Sequence, residues 1–179
     1  MNDRYIIERE FEHAGYKCVV IFQASGHRCG YVGIPKTHRL YGEDYGNYLD
    51  IKKSDIGDRE VSGIFPLFLA CLDDDERIKI EAYFQCHGGI TYSGGGKGSE
   101  YPIESDLWWF GFDCAHAGDK KDYKTVYDKF PNERERVKRL EEIENMYQIE
   151  DDVIRTEEYV ADECKRLAEQ LKEFETEVH

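Results

Sequence analysis

The feature that most constrains this chain is a switch in hydrophobic period along its length. From Val160, apolar residues recur at Cys164, Leu167, Ala168, Leu171 and Phe174, three and four positions apart. That spacing lays one stripe along a helix of about five turns. Thr156 is placed to cap its start, and Glu157 and Glu158 suit the positive helix end. The first part of the chain alternates instead. Tyr5-Ile6-Ile7-Glu8-Arg9-Glu10-Phe11 and Tyr16-Lys17-Cys18-Val19-Val20-Ile21-Phe22 flank His13-Ala14-Gly15, the pattern of a β-hairpin. Cys29-Gly30-Tyr31-Val32-Gly33-Ile34 reads as a third strand, stopped by Pro35, which cannot donate to a ladder. A striped helix and a sheet each need cover. The expectation is an α+β fold: an antiparallel β-sheet of four or more strands with a helix from about Thr156 to Phe174 packed on one face, a two-layer sandwich.

The remaining segments are assigned by the same rules. Thr37 to Asp58 lacks a clear period and reads as a long loop, and Val61 to Leu72 as a helix interrupted by Pro66. Arg77 to Cys86 alternates through Ile78, Ile80, Ala82 and Phe84 and is predicted as a strand with one buried face. Asp106 to Phe112 is nearly continuous in large apolar residues, as a central strand would be. Asn132 to Tyr147 is highly charged, with Val137, Leu140 and Ile143 or Glu144 at helical spacing. The organisation expected is one domain over residues 1–179, sheet-rich in 1–119 and acidic and helical in 132–179.

Composition excludes several function classes. The chain has 24 basic against 38 acidic residues, net charge −14, with no lysine or arginine block, so general binding to a nucleic-acid backbone is not expected. Residues 131–179 carry 16 acidic against 8 basic residues, a face that confers solubility or meets a basic partner. Glu141, Glu142 and Glu144 are its partner-binding candidates. The charged segments after Asn132 bury little by themselves, which suggests pairing in a homodimer. No apolar run reaches the roughly 20 residues of a membrane span. The start has no basic region followed by an apolar one, so a cytoplasmic location is expected. In that setting the six cysteines are thiols, and no Cys-x-x-Cys signals a zinc or redox site.

Three segments have the residue types of a binding surface. Cys86-His87-Gly88-Gly89-Ile90-Thr91-Tyr92-Ser93 pairs glycines, which free the backbone for positive φ, with the polar tips of His87, Thr91 and Tyr92. It is not a phosphate-binding P-loop, because no Gly-Lys-Ser/Thr ends it before a helix. In Trp108-Trp109-Phe110-Gly111-Phe112-Asp113-Cys114-Ala115-His116-Ala117-Gly118-Asp119, alternation sets Trp109, Gly111 and Asp113 on one face. That face suits a planar polar ligand stacked on Trp109 and held by Asp113, with His116 and Asp119 nearby; alternatively Trp109 covers the sheet and Asp113 caps a turn. In the third segment, Gly30 and Gly33 suggest close approach, and Tyr31, His38 and Tyr41 are candidates beside them. Cys86, His87, Asp113, Cys114, His116 and Asp119 include every common zinc-ligand type, but at no known structural spacing, so neither metal nor cofactor is assigned. Cys114 or Cys86 paired with His116 or His87 would make a nucleophile and its base.

Taken together, Gly30-Tyr31-Val32-Gly33 with His38, Leu40 and Tyr41, His87-Gly88-Gly89 with Thr91-Tyr92, Trp109 through Asp119, and Tyr159-Val160 with Glu163, Leu167 and Leu171 resemble a family of small bacteriophage and mobile-element proteins. The resemblance implies an accessory protein that neutralises bacterial defence. Two modes fit it: a sponge that sequesters a nucleotide-derived immune signal, or an anti-CRISPR type inhibitor whose acidic face occupies an effector's nucleic-acid channel. A hydrolase of a nucleotide signal is a third class. The ligand-binding set expected is Tyr31, His38, His87, Thr91, Tyr92, Trp109, Asp113, His116 and Asp119.

Overall fold

A computed structural model describes residues 4–55, 71–147 and 152–176. The hairpin forms as its pattern requires: β1 (Tyr5–His13) pairs antiparallel with β2 (Tyr16–Gln23). Its two-residue turn puts Ala14 at φ 50° and Gly15 at φ 84°, left-handed values that match the twist of the flanking strands. β3 (Arg28–Ile34) follows. β4 (Tyr48–Lys52) and β5 (Arg77–Lys79) form a separate two-stranded sheet. β6 (Tyr92–Gly95) and β7 (Trp108–Asp113) complete a five-stranded antiparallel sheet of order β1-β2-β3-β7-β6. Helices α1 (Ile80–Tyr83), α2 (Tyr123–Lys129), α3 (Arg134–Tyr147) and α4 (Glu157–Thr176) join them, with single 3-10 turns at Lys53–Asp55 and Pro131–Glu133.

The C-terminal helix lies where its stripe demands. Thr156 caps it, its Oγ1 accepting the Tyr159 amide at 3.2 Å. Val160, Cys164, Leu167, Ala168, Leu171 and Phe174 are all buried against Val20, Val32, Phe110 and Phe112 of the sheet. The helix approaches β3 closely because position 30 has no side chain. A Cβ on Gly30 would overlap both the Phe112 ring and the Cys164 sulfur.

The second sheet face is also covered. Val19, Ile21, Cys29, Tyr31 and Trp109 pack beneath Tyr101, Ile103 and Leu107, which explains why β3 is buried at every position. The two-layer expectation therefore omits a cover on this side. A third cluster joins Phe22 to Tyr123, Val126, Phe130 and Val137. Val137 and Leu140 of α3 thus pack within the chain, while Ile143 and Met146 stay exposed. Among the described residues, no helix is long and apolar enough to cross a membrane.

Two local expectations are corrected. The long loop after Thr37 contains β4, whose Leu49 and Ile51 are buried in alternation; residues 56–58 lie outside the described residues. The strand expected over Arg77–Cys86 ends at Lys79, which pairs with Tyr48 where β4 begins, so the ladder runs out. The chain then turns helically, burying Ile80 and Phe84 four residues apart. The interrupted helix expected over 61–72 falls outside the described residues except for its last two positions.

Candidate functional site

The glycine turn after α1 is positioned by α4. Gln170 on α4 accepts the Gln85 amide at 2.8 Å and donates to the Gln85 carbonyl at 2.7 Å. This clamp delivers His87 to the helix one element away. Gly88 and Gly89 follow at φ 68° and 88°. A side chain at Gly88 would overlap the His116 ring, so the turn needs glycine for space as well as for conformation.

Opposite the turn, the loop after β7 folds around Asp119. The Asp119 side chain is 1% exposed. Its Oδ2 accepts His87 Nε2 at 2.7 Å and the His116 amide at 3.0 Å, and its Oδ1 accepts Arg155 Nε at 2.7 Å. Arg155 arrives because Val153 bridges to Asp119, with the Val153 amide donating to the Gly118 carbonyl at 2.9 Å. The other nitrogen of His87, Nδ1, lies 3.0 Å from the Tyr159 hydroxyl on α4. A carboxylate only accepts, so the neutral imidazole has its proton on Nε2 and takes the Tyr159 O–H at Nδ1. The Arg155 guanidinium sits over the Tyr159 ring, 5.0 Å from its centroid. The His87 and His116 rings are 5.7 Å apart.

Burial works to raise the Asp119 carboxyl, and the hydrogen bonds from Arg155, His87 and the His116 amide outweigh it, leaving the group below the ordinary carboxylate value. The sign of the linkage follows. A depressed folded pKa contributes stability above the unfolded value of about 3.9, lost as pH falls through the folded value. Asp119→Asn should therefore flatten the acid limb of the stability-versus-pH curve below about pH 4. Denaturant midpoints measured across that range check this, and an unchanged acid limb would contradict it.

The nine candidate ligand-binding residues separate into three places. His87, Thr91, Asp113, His116 and Asp119 come together at this end of the sheet. Asp113 accepts the Thr91 hydroxyl at 2.9 Å and the Ala115 amide at 3.1 Å, so it caps the turn after β7, and its Oδ1 lies 3.7 Å from His116 Nε2. Tyr31, Tyr92 and Trp109 belong to the cluster on the face away from α4. Trp109 is 0% exposed and donates from Nε1 to Ser105 Oγ at 3.1 Å, so it offers no ring face to a ligand. This corrects the stacking-wall expectation: the segment Tyr101–Leu107 returns over the sheet and fills that face. The Tyr31 ring packs edge-on against Tyr92 and Tyr101, with its hydroxyl bonded to that of Tyr101. His38 is a buried anchor elsewhere. Its Nδ1 accepts the Leu40 amide and its Nε2 donates to the Leu171 carbonyl, both at 3.1 Å.

The acidic candidates are partly engaged. Glu141 accepts the Tyr127 hydroxyl at 2.7 Å and Glu144 holds the Lys121 ammonium, whereas Glu142 is exposed. Burial raises the Cys114 thiol to about 12 and pushes Cys86 higher still, so neither is a thiolate near neutral pH. Among the described residues, no group of three or more His, Cys, Asp or Glu side chains is arranged to hold a metal ion. A groove of about 350 Å³ lined by Tyr48, Leu72, Glu76, Arg77 and Lys79 lies on the second sheet, away from the histidine cluster.

Two members of the cluster escape sequence reasoning. Sequence pattern places Tyr159 on the final helix and among the residues of the resemblance without giving it a role in the site, and it does not single out Arg155. Both reach the site through contacts distant in sequence. Compared with protein-family models, curated proteins and solved structures, the chain matches none of them.

Proposed function

We propose that this is a phage-type counter-defence protein that sequesters a nucleotide-derived signal, seated where Thr91, Asp113 and His116 border the Asp119 cluster. The observation that carries the reading is His116 Nε2, buried without a hydrogen-bond partner among the described residues and pressed against Gly88. Leaving such a group unsatisfied costs about 1–3 kcal/mol, and native proteins keep few of them. Arg155 adds a cation, and no hydrogen bond from its two terminal amino groups occurs among the described residues. Asp113 supplies an acceptor for a base edge, and the Arg155 guanidinium held on Asp119 suits phosphate oxygens. The counter-defence role rests on the resemblance in the motifs. A thermal-shift screen of mono-, cyclic and dinucleotides tests the reading. A bound nucleotide at a hundredfold excess over its Kd stabilises by about 2.7 kcal/mol, and a flat screen would remove the proposal.

The acidic surface favours a second reading, an inhibitor of a basic defence effector. Glu142 is exposed beside Ile143 and Met146, which are 51% and 81% exposed. On this reading Glu142→Lys abolishes capture of the effector, and high salt weakens the complex. On the sponge reading the substitution leaves nucleotide binding unchanged.

A further inference from the structure

The Asp119–His87–Tyr159 chain has a geometry that binding alone does not require. A buried carboxylate orients an imidazole at 2.7 Å, and the imidazole's free lone pair meets a phenol O–H at 3.0 Å. This is the arrangement of an oriented base and its nucleophile, with tyrosine in the nucleophile's place. The Arg155 cation over the Tyr159 ring favours negative charge developing on that ring. Tyr159 is half-buried on the first turn of α4, and His87 is 12% exposed. We propose that Tyr159 is a nucleophile toward a small nucleotide phosphodiester, activated by His87 and Asp119. This rests on the reading that the site takes a nucleotide-type ligand, and adds a covalent step to it.

The step balances as follows. The Tyr159 oxygen forms a bond to phosphorus while its proton passes to His87 Nδ1, and Asp119 stabilises the imidazolium. The bond from phosphorus to the departing alcohol breaks, and the alkoxide takes a proton from solvent water. Water then attacks phosphorus and gives up a proton that neutralises the hydroxide left in the first half, the bond to Tyr159 breaks, and the phenolate takes back the proton held on His87. The net reaction is diester plus water giving monoester plus alcohol. The terminal amino groups of Arg155, which make no hydrogen bond among the described residues, are donors for the non-bridging oxygens. A net charge of −14 with no basic tract restricts the substrate to a small diester rather than a nucleic-acid strand.

The test uses bis(4-nitrophenyl) phosphate on the full chain, following 4-nitrophenol release and intact mass together. The expected result is a burst stoichiometric with protein and a nitrophenyl-phosphoryl adduct on the peptide containing Tyr159. Tyr159→Phe keeps the ring against Arg155 and His87 and should lose both signals. His87→Gln should slow the burst by about 10²–10⁴-fold. A tyrosine that merely staples the turn to α4 predicts no adduct, and release that survives in Tyr159→Phe. Either of these outcomes, or the absence of release from the unaltered chain, overturns the proposal. Nucleotide thermal shifts on the same preparation separate the two claims. Shifts without adduct leave the binding reading standing and remove only the covalent step.

Discussion

Leu167→Ala is expected to lower stability by about 2–5 kcal/mol. Leu167 is 0% exposed, midway along the stripe of α4 that covers the sheet. Truncation removes apolar contacts and leaves a cavity between Cys164, Leu171 and the sheet that the close-packed neighbours fill only partly. Urea unfolding followed by circular dichroism measures the loss. A change below about 0.5 kcal/mol, the scale of an ordinary surface substitution, would show that the helix does not close this core.

Asp119→Ala should cost as much by a different route. The substitution removes the acceptor for His87, Arg155 and the His116 amide at once, from a position 1% exposed. Removing one partner from a buried charged network costs about 3–5 kcal/mol. For a chain of this size that lowers Tm by roughly 2–4 °C per kcal/mol. Part of the loss comes from Val153–Arg155, where the Arg155 guanidinium loses its carboxylate partner while the backbone bonds of Val153 to Gly118 and Lys120 remain. Asp119→Asn keeps the shape and should fall between wild type and alanine. An Asp119→Ala protein that melts with wild type would mean that the cluster is not the organising centre of this end of the molecule.

Periodicity made most of the fold legible in the sequence. The hairpin around His13-Ala14-Gly15, the stop at Pro35, the Thr156 cap and the α4 stripe are short-range signals; each appears in the structure, with His13 drawn into β1 and the turn narrowed to Ala14-Gly15. The misreadings came from contacts that local pattern does not encode. Alternation through Ile78 and Ile80 is that of a strand, but β4 offers no partner beyond Tyr48, and the turn α1 forms instead. Trp109 alternates away from the helix-covered face, and nothing in its neighbourhood reveals that Tyr101, Ile103 and Leu107 return to cover it. Helix α2 was missed although Asp122 caps it, accepting the Thr125 amide, and Tyr123 and Val126 repeat at three. The candidate site divides along the same line. The glycine turn and the loop after β7 were marked by their own residues. Their union around Asp119 depends on Arg155 and Tyr159, 36 and 40 residues further along the chain.

The most direct test of the account is a calorimetric titration of the wild-type and Asp113→Asn proteins with the nucleotide that most raises Tm. Asparagine keeps Oδ1 for the Ala115 amide, and its Nδ2 in place of Oδ2 donates to the Thr91 hydroxyl oxygen, so the turn is held while the charged acceptor is lost. The account predicts saturable one-to-one binding to wild type. It predicts a loss in the variant of about 1.5–3 kcal/mol, or roughly ten- to a hundredfold in Kd. Equal affinity in the two proteins, or no heat from any nucleotide tested, would contradict it.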